Sequence, residues 1–189
     1  MKTFIEIGSS YYDTLNYLSD YGWRGVIVEP IKNYIDKIEQ KQNIFYLNFA
    51  IDTQRGHRDI WLVTNELIDS GDLDYTGMSS FYKDVHVGTP IGNEFKSHIH
   101  DRSLKINTLV YQDIIDMCNI SQVDYLKIDT EGHDWEILKQ VHMVGPLRPS
   151  VIKVEHKHSQ KHDLMKQYLS SNGYQCESFN WDIMAIDIL

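Results

Sequence analysis

Short apolar runs alternating with helical stripes constrain this chain more than any other feature. Phe4 to Ile7 is a β-prone run that ends at Gly8. Asp13 and Thr14 offer helix N-caps, and Leu15, Leu18 and Tyr21 follow at helical spacing until Gly22 stops the turn. Gly25 to Val28 is the next apolar run. Pro30 is placed to open a helix whose buried stripe is Ile31, Tyr34, Ile35 and Ile38. Ile44 to Phe49 reads as a third strand. Three strands separated by two helices predict an α/β fold with a parallel sheet and crossover helices.

The pattern breaks after a strand at Ile60 to Thr64. From Asn65 to about Arg102 the chain is polar, rich in glycine and weakly periodic. A segment of this kind inside a domain reads as an insertion or lid over a site. Alternation resumes with a helix from Thr108 to Asn119, a strand from Asp124 to Ile128 and a helix carrying Trp135, Leu138 and Val141. The strand Val151 to Val154 follows, then a helix that stops at Gly173. The last two β-prone segments, Tyr174 to Phe179 and Asp182 to Ile188, are spaced for a hairpin. A hairpin at the end of an α/β sheet implies an antiparallel strand at that edge.

The 189 residues match one domain, taken as 1–189 with the insertion at about 65–102. The formal charge of −9 argues against a protein built to bind a nucleic-acid backbone. No apolar run is long enough to span a membrane. Glu6 interrupts the only stretch that could serve as a signal peptide, so a cytoplasmic location is expected. Cys118 and Cys176 are far apart and in no metal-spaced pair, which suits free thiols.

In open α/β sheets, ligands bind beyond the carboxyl ends of the strands. Here those ends carry Glu6 and Gly8 on the first strand, and Glu29 on the second, 21 residues beyond Gly8. An acid at that spacing can accept hydrogen bonds from two adjacent ribose hydroxyls. The glycine fingerprint of a dinucleotide site is missing, because Ser9, Ser10, Tyr11, Tyr12 and Asp13 follow Gly8. Such a loop is a poor cradle for phosphate. A nucleoside cofactor with a positive centre and no phosphate suits it, and S-adenosylmethionine meets that description.

The chain resembles the FkbM-type S-adenosylmethionine-dependent methyltransferases. The segments that carry the resemblance are Phe4–Gly8, Val26–Pro30, Asn48–Ile51, Gly77–Ser80, Tyr125–Gly132, Asp134–Leu138 and Pro149–Glu155. It implies a Rossmann-like class I methyltransferase fold: a mostly parallel seven-stranded sheet with its last-numbered strand antiparallel, and helices on both faces. It implies that Glu6, Gly8, Ser9 and Ser10 form the cofactor loop and that Glu29 holds the ribose. Asn48, Ala50 and Ile51 would border the adenine. Ser79 and Ser80 would reach the methionine end, with Asp129 and Glu131 at the floor of the site. The family usually carries a glycine where Tyr12 stands and an asparagine where Ser10 stands.

Methylating an oxygen requires alignment and a proton acceptor. Asp129 and His156, at the ends of adjacent strands, are the candidate bases. Asp129, Glu131, Glu155 and His156 together could instead hold Mg²⁺ or Mn²⁺, although no ligand spacing supports this and no residue is assigned to a metal. His133 reads as an exposed residue early in a helix, and His158 and His162 as a solvated helix start. Glu6 has a rival reading as the cap of a helix terminus. The expected reaction is O-methylation of a small-molecule or sugar hydroxyl, with specificity residing in 65–102 or in a second copy of the chain. The competing readings are RNA ribose methylation by Asp129, Lys153 and Glu155, and a degenerate cofactor-binding module.

Overall fold

β1 (Thr3–Ile7) is buried along its whole length, as a strand at the centre of a parallel sheet must be. The structure, a computed structural model, describes residues 1–12, 14–64, 77–85, 100–158 and 160–189. β1 pairs in parallel with β2 (Arg24–Val28) on one side and β7 (Tyr125–Ile128) on the other. β3 (Ile44–Leu47) extends the sheet beyond β2, and β8 (Val151–Glu155) extends it beyond β7. β10 (Asp182–Asp187) pairs with β8 and β9 (Tyr174–Phe179) with β10, both antiparallel. The order is β3-β2-β1-β7-β8-β10-β9. This is the expected class I methyltransferase sheet. Its antiparallel strand β10 lies one place in from the edge rather than at it, with β9 outside.

The alternating side chains of these strands separate two cores. Ile5, Ile7, Val26, Val28, Leu126, Ile128, Ile152 and Val154 face α2 (Tyr111–Met117), α3 (Asp134–Leu138) and α4 (His162–Ser171). Phe4 and Ile27 face the other way. They pack with Leu15 of the 3₁₀ helix Leu15–Tyr21 and with Ile35 of α1 (Lys32–Ile35). The 3₁₀ helix has the predicted ends: Thr14 accepts a hydrogen bond from Asn16 N, and Gly22 adopts φ 78°.

The segment after β3 departs from the sequence reading. β4 (Ala50–Ile51), β5 (Gly56–Val63) and β6 (His100–Leu109) form a second sheet in the order β4-β6-β5. β6 is not anticipated, because Ser103, Lys105 and Asn107 give it a polar face and Arg102 is exposed on the other, and Thr108 joins it rather than starting α2. Within the expected insertion, residues 65–76 and 86–99 lie outside the described residues. Residues 77–85 are tied to β5 through Trp61 and Ser80, which exchange backbone hydrogen bonds of 2.7 and 3.0 Å. Among the described residues no helix is long and apolar enough to cross a membrane.

Candidate active site

The ends of β1, β2 and β7 are laced together before any ligand chemistry is considered. Gly8 N donates to Val28 O at 2.9 Å, and Asp129 N donates to Ile7 O at 2.9 Å. Gly8 has φ 80°, and a Cβ there would collide with the carbonyl oxygen of Asp129. Beyond these ends, toward the second sheet, opens a cavity of ≈ 810 Å³ including its mouth. Gly8, Ser9, Ser10, Glu29, Ala50, Ile51, Ser79, Ser80, Asp129 and Glu131 line it, so most of the expected site residues converge.

Glu29 is buried at the end of β2. One carboxylate oxygen accepts from Ser10 N at 2.9 Å and the other from Ile31 N at 2.8 Å. Burial pushes its carboxyl up to about 8 despite those two hydrogen bonds. In its ionised form each oxygen keeps a second lone pair, so the carboxylate can then accept from a diol. Ser10 is held at φ 48°, and its Oγ is buried with no hydrogen-bond partner among the described residues.

Three expected site residues do not line this cavity. The Asn48 amide is spent on the carbonyls of Glu29 and Pro30, at 2.9 Å each, and Phe49 takes its place in the wall. Glu6 is fully buried behind the cavity. It accepts from Thr14 Oγ1 at 2.6 Å and Leu15 N at 2.8 Å, fixing the start of the 3₁₀ helix, and faces Lys127 Nζ at 3.2 Å. Burial raises its carboxyl although Lys127 pulls it down. The capping reading of Glu6 therefore describes its contacts. His156 turns away from the cavity, with its ring 4.5 Å from that of His162.

The acidic end of the cavity is built on the loop after β7. Asp134 accepts from Thr130 N at 2.8 Å, Thr130 Oγ1 at 3.1 Å and Gly132 N at 3.0 Å, which shapes the loop. Glu131 is thereby held at φ 53°, and its carbonyl accepts from Ser80 Oγ at 2.6 Å. Asp129 opens onto the cavity 3.9 Å from Lys127 Nζ, and burial raises its carboxyl to about 7 in spite of that lysine.

His133 is buried rather than exposed and lines the cavity. Its Nε2 is 3.0 Å from Asp52, and its Nδ1 is 3.0 Å from Tyr82 Oη. Arg58 Nη1 reaches Asp52 at 3.1 Å and stacks over Phe81. Sequence reasoning misses Asp52, Arg58 and Tyr82, since the contacts of Asp52 and Tyr82 with His133 span 81 and 51 residues and no local pattern announces them.

Behind the same loop, Glu131, Glu155 and His158 gather. The His158 side chain is 1% exposed, so the solvated reading fails for it. It meets Glu131 at 3.0 Å. His162 stays at the surface with Asp163 and Ser178. Lys153 pairs with Asp182 at 3.1 Å and does not line the cavity.

One solved structure similar to the chain is a precorrin-6y C5,15-methyltransferase from Geobacter metallireducens GS-15. Identity is 12% and the TM-score 0.47, over 98% of this chain and 80% of that one. No match is found among curated protein sequences. The model of the methyltransferase FkbM domain matches residues 5–176. The chain belongs to that methyltransferase family.

Proposed function

We propose that the protein transfers a methyl group from S-adenosylmethionine to a hydroxyl oxygen of a small molecule. The observation that carries this reading is Glu29, a buried carboxyl at the end of β2 and on the cavity wall, whose oxygens each keep an accepting lone pair once ionised. The residues fit that cofactor. Glu29 would accept from the ribose hydroxyls, Phe49 and Ile51 offer an apolar border for adenine, and the orphaned Ser10 Oγ is available to a polar group. The many acids nearby suit a cation. When bound, the cofactor supplies an activated methyl on a sulfonium.

The chain's own part is alignment and proton removal. Asp129 is the carboxylate that opens onto the cavity beside Lys127 and is the proposed proton acceptor. His156 lies outside the cavity wall. Phe81, Ser79 and Ser80, brought by the second sheet, form the side of the cavity where an acceptor would be selected. Lys153 paired off with Asp182 and a net charge of −9 weigh against an RNA acceptor.

Calorimetry with S-adenosylhomocysteine tests the reading. Wild type should bind, and Glu29→Ala should lose about 1.5–3 kcal/mol, roughly ten- to a hundredfold or more in affinity. Failure of wild type to bind, or equal binding by both, overturns it. Separately, Asp129→Asn retaining full turnover on an identified acceptor would remove Asp129 as the base.

A further inference from the structure

We infer that the protein holds one divalent transition-metal ion, of the Mn²⁺ or Zn²⁺ class, between Glu131, Glu155 and His158 at the back of the cavity wall. One ligand atom from each of the three lies within 4.8 Å of the others. They come from separate places in the chain: Glu131 from the loop after β7, Glu155 from the end of β8 and His158 from the turn beyond it.

A cluster of acids alone would not make a site. The independent observation is Glu155. It is 7% exposed, and its Oε2 is buried with no hydrogen-bond partner among the described residues. A carboxylate oxygen hidden from water and from donors costs several kcal/mol unless a cation meets it. Lys153 pairs with Asp182, and Lys157, whose charge reaches Glu155, lies over the ring of Trp181 and makes no hydrogen bond to Glu155 Oε2.

Two carboxylate oxygens and one imidazole nitrogen are a mixed donor set that suits Mn²⁺ and Zn²⁺ better than Ca²⁺. Bonds of about 2.0–2.2 Å to one ion would draw the three side chains inward. Three protein ligands leave further coordination positions open, the pattern of a working rather than a purely structural metal. Glu131 belongs to both the cluster and the cavity wall. A role in acidifying an acceptor hydroxyl rests on the methyl-transfer reading. The ion site itself does not.

The test uses the full chain and added MnCl₂ or ZnCl₂, with neither cofactor nor acceptor present. Calorimetry should show one Mn²⁺ or Zn²⁺ per chain. Glu155→Gln and His158→Ala should each weaken it by roughly tenfold or more, and Glu177→Gln, exposed on β9, should leave it unchanged. Pulsed EPR of the wild-type Mn²⁺ complex should show coupling to one imidazole ¹⁴N, a readout that needs no variant. No binding of either ion by wild type, no nitrogen coupling, or unchanged affinity in both variants overturns the site. Binding of S-adenosylhomocysteine, measured on the same samples, is expected to survive Glu155→Gln. Its absence in wild type would count against the methyl-transfer reading and not against the ion.

Discussion

The Asp52 carboxylate stands 3.0 Å from Nε2 of His133, and this contact sets the direction of the hydrogen bonds on both sides of the ring. Asp52 is held below the usual carboxylate range. Burial pushes it up, but the Thr53 N–H, Arg58 and His133 outweigh that push. An ionised Asp52 can only accept, so Nε2 carries the proton, Nδ1 accepts, and Tyr82 Oη donates to it. Burial lowers the basicity of His133 even beside Asp52, which keeps the ring neutral near pH 7. In long-range ¹⁵N correlation spectra, wild type should show a protonated Nε2. Asp52→Asn should raise the Nδ1–H tautomer and lower stability by about 1–3 kcal/mol in urea melts. An unchanged tautomer would contradict this chain of hydrogen bonds.

Lys127 and Glu6 are directly paired across β7 and β1, both almost fully buried, 3.2 Å apart. Removing one partner leaves the other charge stranded, whereas removing both leaves a neutral interior. Lys127→Met should cost about 3–5 kcal/mol in denaturant unfolding, and Lys127→Met with Glu6→Gln should recover much of that loss. A double variant no more stable than the single one would show that the pair is not the cause.

Glu29 makes stability fall with rising pH. The unfolded chain releases this proton near the ordinary 4.5, and the folded chain keeps it until about 8. The stability it contributes is therefore complete below pH 4.5, declines through the interval and is lost above pH 8. Glu29→Gln cannot titrate. Relative to wild type it should gain up to ~5 kcal/mol between pH 5 and pH 9, on top of a constant loss from one broken backbone hydrogen bond. Melts of the two proteins across that range check the slope, and parallel curves would refute it.

Gly8 and Gly22 both have left-handed φ, but only Gly8 is crowded. Gly22→Ala should cost about 1–2 kcal/mol, the price of the conformation alone. Gly8→Ala must also separate β1 from the Asp129 carbonyl, so it should lose more stability and most of its affinity for S-adenosylhomocysteine. Equal effects at the two positions would mean that the close approach at Gly8 does not matter.

The main sheet was legible because its strands are short apolar runs that end in Gly8, Glu29 and Asp129. β6 was not, since its exposed residues Arg102, Ser103, Lys105 and Asn107 fall on both faces of the strand and read as loop. At the site, Glu29 was visible from its distance to Gly8. Glu6 sits on the correct strand but points behind the cavity, to Thr14, Leu15 and Lys127, while the next residue, Ile7, lines the cavity. His133 reads as exposed in the sequence because its partners Asp52 and Tyr82 come from distant positions whose residue types give no warning.

Ser80 donates to the carbonyl of Glu131 while its own oxygen accepts from Tyr82 N at 3.1 Å. One hydroxyl thus fastens the segment around residue 80 to the loop that carries Asp129 and Glu131. For anyone grafting a relative's segment at 77–85 onto this scaffold, the joint is at residue 80. A graft that keeps serine there leaves the loop after β7 tied as it is, while one that changes it also releases that loop.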